Sequence, residues 1–187
     1  MKKGKILLEK QRFQLTIERL CFSLIENYDD FSNTCIIGIQ PRGTLLAQRI
    51  KDRLDQILDT KHLKFGKLDI TFYRDDFRTR NVPLTSNAMD LDFIIEDKKV
   101  ILVDDVLYTG RTIQAALSAL QDFGRPAHVE LLTLVDRRFN RNIPIQPDYA
   151  GLTVDALDEA YIKVKWSHLD MVDQVILFEN KEAAEKA

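Results

Sequence analysis

The chain has 187 residues, 45% of them hydrophobic and 30% charged, which suffices for one substantial core and is cramped for two. A formal charge of -2 leaves no basic excess, so any nucleic-acid contact has to come from a local patch. No window reaches the apolar length of a membrane span, the apolar run in MKKGKILLEK stops at Leu8, short of a signal-peptide core, and Cys21 and Cys35 show neither disulfide nor metal spacing, so a reducing cytoplasm fits best.

From the N-terminus, Leu7 to Asn27 carries Phe13, Ile17, Leu20, Leu24 and Ile25 at helical spacing and predicts a docking helix. Thr34 to Ile39 (TCIIGI) predicts a short buried strand, and QPRGTLLAQRIKDRL turns from it into a second helix with Leu45, Leu46, Ile50 and Leu54 inward. Phe65 to Tyr73 alternates well enough for a strand. The stretch from Arg74 to Asp92 then loses periodicity, is polar and contains Pro83. Structureless loops longer than roughly 12 to 15 residues are uncommon in compact domains and are usually functional, so this segment reads as a flap.

Residues Val100 to Thr112 (VILVDDVLYTGRT) are the most informative in the chain. An apolar run before Asp104 describes a strand buried on both faces, and Thr109 to Thr112 describes a turn opening onto a helix from about Arg111 to Phe123, closed by Gly124 and Pro126. Val129 to Val135 predicts a further strand ending in Asp136, Arg137 and Arg138. Beyond it lie turn signals at Pro144, Pro147 and Gly151 and two strand-like pieces, Ile162 to Trp166 and Val175 to Phe178, assigned with the N-terminal segment to a small hood over residues 143 to 180.

Alternating strands and helices imply an α/β fold with a central, mostly parallel sheet flanked by helices, in a single domain spanning residues 1 to 187. Ligands on such sheets lie beyond the carboxyl ends of the strands, where the charged or glycine-bearing loops after Ile39, Tyr73, Val103 and Val135 share one rim. Paired carboxylates beside a hydroxyl-rich glycine turn at a helix N-terminus suit a ligand with both sugar hydroxyls and a phosphate. The bland reading of the acidic pair is a solvated turn with one Asp as helix N-cap. Neither GxGxxG nor GxxxxGK[ST] occurs, and His62, His128 and His168 have no spacing that suggests a metal site.

These motifs carry a resemblance. VILVDDVLYTGRT looks like the phosphoribosyl-pyrophosphate (PRPP) motif of type I phosphoribosyltransferases, and its Leu-Tyr-Thr-Gly-Arg-Thr version resembles the pyrimidine operon regulator (PyrR) family. LDITFYRDDF at Leu68 to Phe77, GRPAHVELLTLVDR at Gly124 to Arg137 and PDYAG at Pro147 to Gly151 extend the likeness from Leu7 to Asn180. It implies the type I phosphoribosyltransferase fold with flap and hood. It also implies conversion of uracil and PRPP to UMP and pyrophosphate, together with regulation of pyrimidine genes by binding leader RNA with a uridine nucleotide, UMP or UTP.

The resemblance assigns Asp104 and Asp105 to the ribose hydroxyls, and Tyr108, Thr109, Gly110, Arg111 and Thr112 to the 5-phosphate. It assigns Gln40, Pro41, Arg42 and Gly43 to pyrophosphate, and Tyr73, Arg74, Asp75 and Asp76 to the opening of the flap. Magnesium (Mg2+) comes with PRPP, and no protein ligand for it is assigned. In related enzymes the pyrophosphate loop holds a cis peptide that is often not a proline bond, at a cost of about 2.5 to 4 kcal/mol; at Gln40-Pro41 the trans preference drops to about 0.5 to 1 kcal/mol. Purine-using relatives carry Asp where this chain has Tyr108 and Lys where it has Asp136, so a pyrimidine is favoured, with Asp136 and Arg137 at the base. A purine phosphoribosyltransferase is the low-ranked alternative, and a uridine-nucleotide-sensing RNA regulator with vestigial catalysis is the principal one. Arg19 and Arg141 remain of the basic RNA surface, whereas Asn140, Gln146 and Leu152 stand where basic or otherwise RNA-competent residues are expected, so RNA affinity is expected to be weak or redirected. The family implies a homodimer or homotetramer, and apolar side chains left exposed on a helix face would supply its contact.

Overall fold

The computed structural model describes residues 4–28, 30–59, 63–74, 91–156 and 159–186. A five-stranded, wholly parallel sheet forms the centre, in the order β3 (Lys64–Leu68), β2 (Thr34–Ile39), β4 (Lys99–Leu107), β5 (His128–Arg138), β6 (Tyr149–Asp155). A separate three-stranded antiparallel sheet joins the chain's two ends in the order β1 (Lys5–Glu9), β8 (Gln174–Phe178), β7 (Tyr161–Lys165).

Successive side chains of a strand face opposite ways, so a central strand covered on both sides has to be apolar at every position. In β2, Ile36 enters the core shared with helices α1 (Lys10–Asn27) and α2 (Gly43–Leu58), while Cys35, Ile37 and Ile39 enter the core beneath α3 (Arg111–Leu120). Strand β4 divides the same way, Ile101 and Val103 against Val100 and Leu102. The stripe Phe13, Ile17, Leu20 and Leu24 buries α1 on the first of these cores, and Leu15 and Phe22 on its other side stay 58% and 49% exposed.

Four expectations change. The first helix begins at Lys10, because Lys5 to Glu9 pairs with β8, Leu8 opposite Val175, and the chain changes direction at Lys10 with φ 47°. The strand expected over Phe65 to Tyr73 stops at Leu68, because the Asp69 carboxylate accepts from the Thr71 N–H (2.8 Å) and hydroxyl (2.6 Å) and turns the chain into a 3-10 turn, Thr71–Tyr73. The segment read as turns around Pro147 and Gly151 and assigned to the hood contains β6, which belongs to the main sheet. Gly151 is there for close approach: a Cβ would lie 2.7 Å from the Leu134 carbonyl oxygen and 2.8 Å from Thr16 Cγ2. Finally, β5 runs on through Asp136, Arg137 and Arg138, which pair with Thr153, Val154 and Asp155.

The small sheet is fastened to α2 by Arg49. Its guanidinium lies 5.0 Å from the Trp166 ring centre and 5.8 Å from that of Phe13, and bonds Asp173 Oδ1 at 2.7 Å and Ser167 Oγ at 2.9 Å. Burial alone would raise the Asp173 carboxyl, but its bonds with Arg49 and the Ser167 N–H hold it below the usual carboxylate value. Phe13 meets Trp166 edge to face at 5.6 Å.

At the other end of the sheet, Glu130 Oε2 accepts from the hydroxyls of two buried tyrosines, Tyr28 (2.7 Å) and Tyr149 (2.8 Å). Glu130→Ala leaves both hydroxyls without that acceptor and is expected to destabilise the fold by about 1 to 3 kcal/mol, with Glu130→Gln recovering part of it. Urea unfolding at neutral pH measures this, and equal stability of Glu130→Ala and wild type would show that the tyrosines do not depend on the carboxylate.

Candidate active site

Strand β4 carries the acidic pair. Asp104 and Asp105 lie inside the strand, 7% and 8% exposed, rather than at its mouth, and the Asp105 N–H donates to Asp104 Oδ1 at 2.9 Å. Neither caps α3: the residue before that helix is Gly110, at φ 89°, and no side chain caps it. The helix-cap reading of the pair is thereby excluded.

Next to the pair, α2 begins at Gly43 with no room for a side chain. A Cβ on Gly43 would stand 2.4 Å from the Val103 carbonyl oxygen and 3.1 Å from Asp104 Cα. The loop leading to it has a cis Gln40-Pro41 bond, with the Gln40 N–H on the Leu68 carbonyl at 2.9 Å and the Thr44 hydroxyl on the Pro41 carbonyl at 2.7 Å. Arg42 reaches from it to the Val164 carbonyl of β7 at 2.6 Å and so ties this loop to the small sheet.

Burial, with the charge of Asp105 second, raises the Asp104 carboxyl well above the ordinary value, against the opposing charge of Arg74. Burial also raises Asp105, opposed by Arg42 and the Val106 N–H. Arg74 and Arg42 therefore act electrostatically on one carboxylate each. Tyr73, next to Arg74, donates its hydroxyl to Asp122 Oδ2 beyond α3. Asp75, Asp76 and the flap through residue 90 lie outside the described residues.

The turn from Tyr108 to Thr112 rests on the segment after β5. Gly110 sits against Ile143 and Ile145, each 2.7 Å from where its Cβ would be, and the Thr109 carbonyl accepts from the Asn142 N–H at 2.9 Å. The Gln114 N–H bonds the Gly110 carbonyl at 2.9 Å as the first turn of α3, so the helix opens with its leading N–H groups at this loop. The Tyr108 ring is stacked by the Arg137 guanidinium, 3.8 Å from its centre.

Asp136, Arg19 and Arg141 each have a partner within the chain. Asp136, expected at the base, is buried, and its Oδ1 accepts from Arg141. Arg141 is not a surface cation. It also donates to the carbonyls of Leu107, Tyr108, Arg137 (2.8 Å) and Ile145 (3.1 Å). Arg19, the other RNA candidate, donates to the Gly151 carbonyl. The role of Arg141 was hidden from sequence because it acts on a loop more than thirty residues away, through backbone atoms.

The phosphoribosyl transferase domain model matches residues 3–170. Bifunctional protein PyrR of Bacillus cereus is 38% identical over 181 residues, covering 96% of this chain and 99% of that protein, and PyrR of Bacillus anthracis matches equally. The chain belongs to the phosphoribosyltransferase family, in its PyrR branch. Among solved structures, a hypoxanthine phosphoribosyltransferase of Staphylococcus aureus superposes with TM-score 0.69 at 22% identity, covering 93% of this chain and 92% of that one. A hypoxanthine phosphoribosyl transferase of Trypanosoma cruzi gives TM-score 0.72 at 15% identity, covering 100% and 97%. These likenesses establish the type I phosphoribosyltransferase fold and do not choose a base. Among the described residues no helix is long and apolar enough to cross a membrane.

A raised carboxyl in the folded phosphoribosyltransferase has a definite sign for stability. Between the ordinary carboxylate pKa and the raised one, the folded chain holds a proton that the unfolded chain has released, so stability falls as pH rises through that window. Asp104→Asn is therefore expected to melt above wild type at neutral pH, with the gap closing in acid. Calorimetry across that range checks it, and a variant that melts below wild type at neutral pH contradicts it.

Proposed function

We propose that this phosphoribosyltransferase transfers the phosphoribosyl group of PRPP to uracil, yielding UMP and pyrophosphate. The observation that carries the reading is the buried acidic pair, held between the glycine-led start of α2 and the phosphate-type turn at the start of α3. PyrR relatives named as bifunctional, at 38% identity, support it.

In this reading the proton that burial holds on the pair leaves as the cation-bearing substrate arrives, and Asp104 and Asp105, acceptors only once ionised, accept hydrogen bonds from the ribose 2- and 3-hydroxyls. N–H groups and hydroxyls from Thr109 to Thr112 hold the 5-phosphate at the positive end of α3. The Gln40 to Gly43 loop receives the pyrophosphate, with Arg42 exchanging the Val164 carbonyl for it. As the bond from ribose C1 to the pyrophosphate oxygen breaks, positive charge grows on the sugar ring beside the two carboxylates, and the bond from C1 to N1 of uracil forms as N1 gives up its proton, which leaves with the pyrophosphate. Arg74 lies beside this centre, where its charge acts on Asp104.

Two adjacent carboxylates whose charge is opposed by burial fit a substrate that arrives with a divalent cation. Among the described residues no group of three or more His, Cys, Asp and Glu could hold an ion by itself. Magnesium carried on PRPP would supply charge neutralisation to the departing pyrophosphate. Tyr108, stacked under Arg137, flanks the base side, and the purine-type Asp and Lys are missing from positions 108 and 136.

The competing reading is a uridine-nucleotide sensor that regulates through RNA. It is the weaker one here because Arg19 and Arg141 are both bonded to backbone carbonyls of their own chain, and RNA affinity is proposed to be low. A homo-oligomer belongs to the proposal, with Leu15 and Phe22 of α1 as its apolar contact.

The test is pyrophosphate release from PRPP with magnesium and each of uracil, hypoxanthine, guanine, adenine and orotate. Uracil is expected to be the productive base, and the double variant Asp104→Asn, Asp105→Asn to lose roughly a hundredfold or more in turnover through lost orientation of the sugar. Absence of turnover with every base, together with tight UMP binding, would favour the sensor.

A further inference from the structure

We propose that Arg141 is a positioning residue for the 5-phosphate site, acting on the backbone of the Tyr108 to Thr112 loop from beneath. The inference rests on the reading of that loop given above and assigns it a support that lies outside its own motif.

The geometry is one of peptide orientation. Arg141 Nη1 donates to the carbonyls of Leu107 and Tyr108, and the Asn142 N–H donates to that of Thr109 at 2.9 Å, so three consecutive carbonyls face the segment that follows β5. In a trans peptide the C=O and N–H point opposite ways. Turning the Tyr108 and Thr109 carbonyls down therefore turns the Thr109 and Gly110 N–H groups up, away from Arg141. Successive N–H groups on one side of a turn at a helix start form an anion-binding concavity.

The same segment supports the loop sterically. Ile143 and Ile145 fill the space where a side chain at position 110 would stand, and Arg141 Nε donates to the Ile145 carbonyl at 3.1 Å, fixing that support as well. Asp136 and the Arg137 carbonyl hold the guanidinium from the β5 side, so one planar cation joins the strand end, the phosphate loop and the 139–147 segment. The guanidinium is mostly buried and has an acidic partner, which suits a fixed support better than direct capture of a phosphate. Asp136 then acts through Arg141 and contributes to phosphate affinity rather than to base choice.

Steady-state kinetics on Arg141→Met, Arg141→Lys and Asp136→Asn, with UMP binding and a melting temperature for each, test this. Arg141→Met is expected to raise the KM for PRPP and the Kd for UMP by roughly tenfold, the size of one lost charge-assisted hydrogen bond, while the KM for uracil stays put. Arg141→Lys is expected to recover part of the loss, and Asp136→Asn to raise the KM for PRPP and not that for uracil. A generally loosened fold would instead move both KM values and kcat together. Should Arg141→Met fail to fold, Asp136→Asn carries the test alone, and a rise in its uracil KM with an unchanged PRPP KM overturns the proposal. Wild-type turnover with an unchanged PRPP KM in Arg141→Met overturns it too. Failure of wild type to bind PRPP at all removes the phosphoribosyl reading itself, and this inference with it.

Discussion

Two carboxylates side by side in a buried strand are an unfavourable arrangement, because each loses its hydration and each repels the other. In β4 this arrangement is held in place by its surroundings. The start of α2 is pressed onto the strand so closely that only glycine fits at position 43, Arg42 and Arg74 each offset the charge of one carboxylate, and the Asp105 N–H bonds Asp104. In the proposed reaction a cation-bearing sugar phosphate, and positive charge developing on the sugar, would favour the ionised pair that burial opposes. Local stability is given up where the chemistry needs it.

The rest of the molecule keeps that pair from relaxing. Strand β4 sits at the middle of the parallel sheet, paired with β2 and β5, and is covered on one side by α1 and α2 and on the other by α3. Its ends cannot shift without breaking both cores. On the rim, the loops that would meet phosphate and pyrophosphate are each tied to a distant part of the chain, Arg42 to β7 and the Thr109 carbonyl to Asn142. Arginines do much of this joining, at positions 42, 49 and 141, because a planar guanidinium can bond several oxygens at once and stack on rings. These three arginines act within the fold, on backbone carbonyls, carboxylates and rings of their own chain.

The small sheet follows the same logic at larger scale. It brings β1 from one end of the chain against β8 from the other, and Trp166, Phe13 and Arg49 fix it to the helices. The carbonyl that Arg42 bonds belongs to this sheet, so its position and that of the pyrophosphate-type loop are linked.

By itself the sequence determined the alternation of strands and helices, the buried central strands, the acidic pair with its glycine turn, and the cis-compatible Gln40-Pro41 bond, because each is a local pattern of polarity or backbone freedom. TCIIGI and VILV are short apolar runs that suit strands covered on both faces, and they are such strands in the fold. Tertiary structure alone decided that Lys5 to Glu9 is a strand, since those residues gain their order from β8, and that Tyr149 to Asp155 joins the main sheet, since Gly151 marks close packing rather than a turn. It also decided that Asp136 and Arg141 bond each other. A side chain's charge is visible in sequence, but the partner that neutralises it is chosen by folding, when strands distant along the chain bring their ends to one rim.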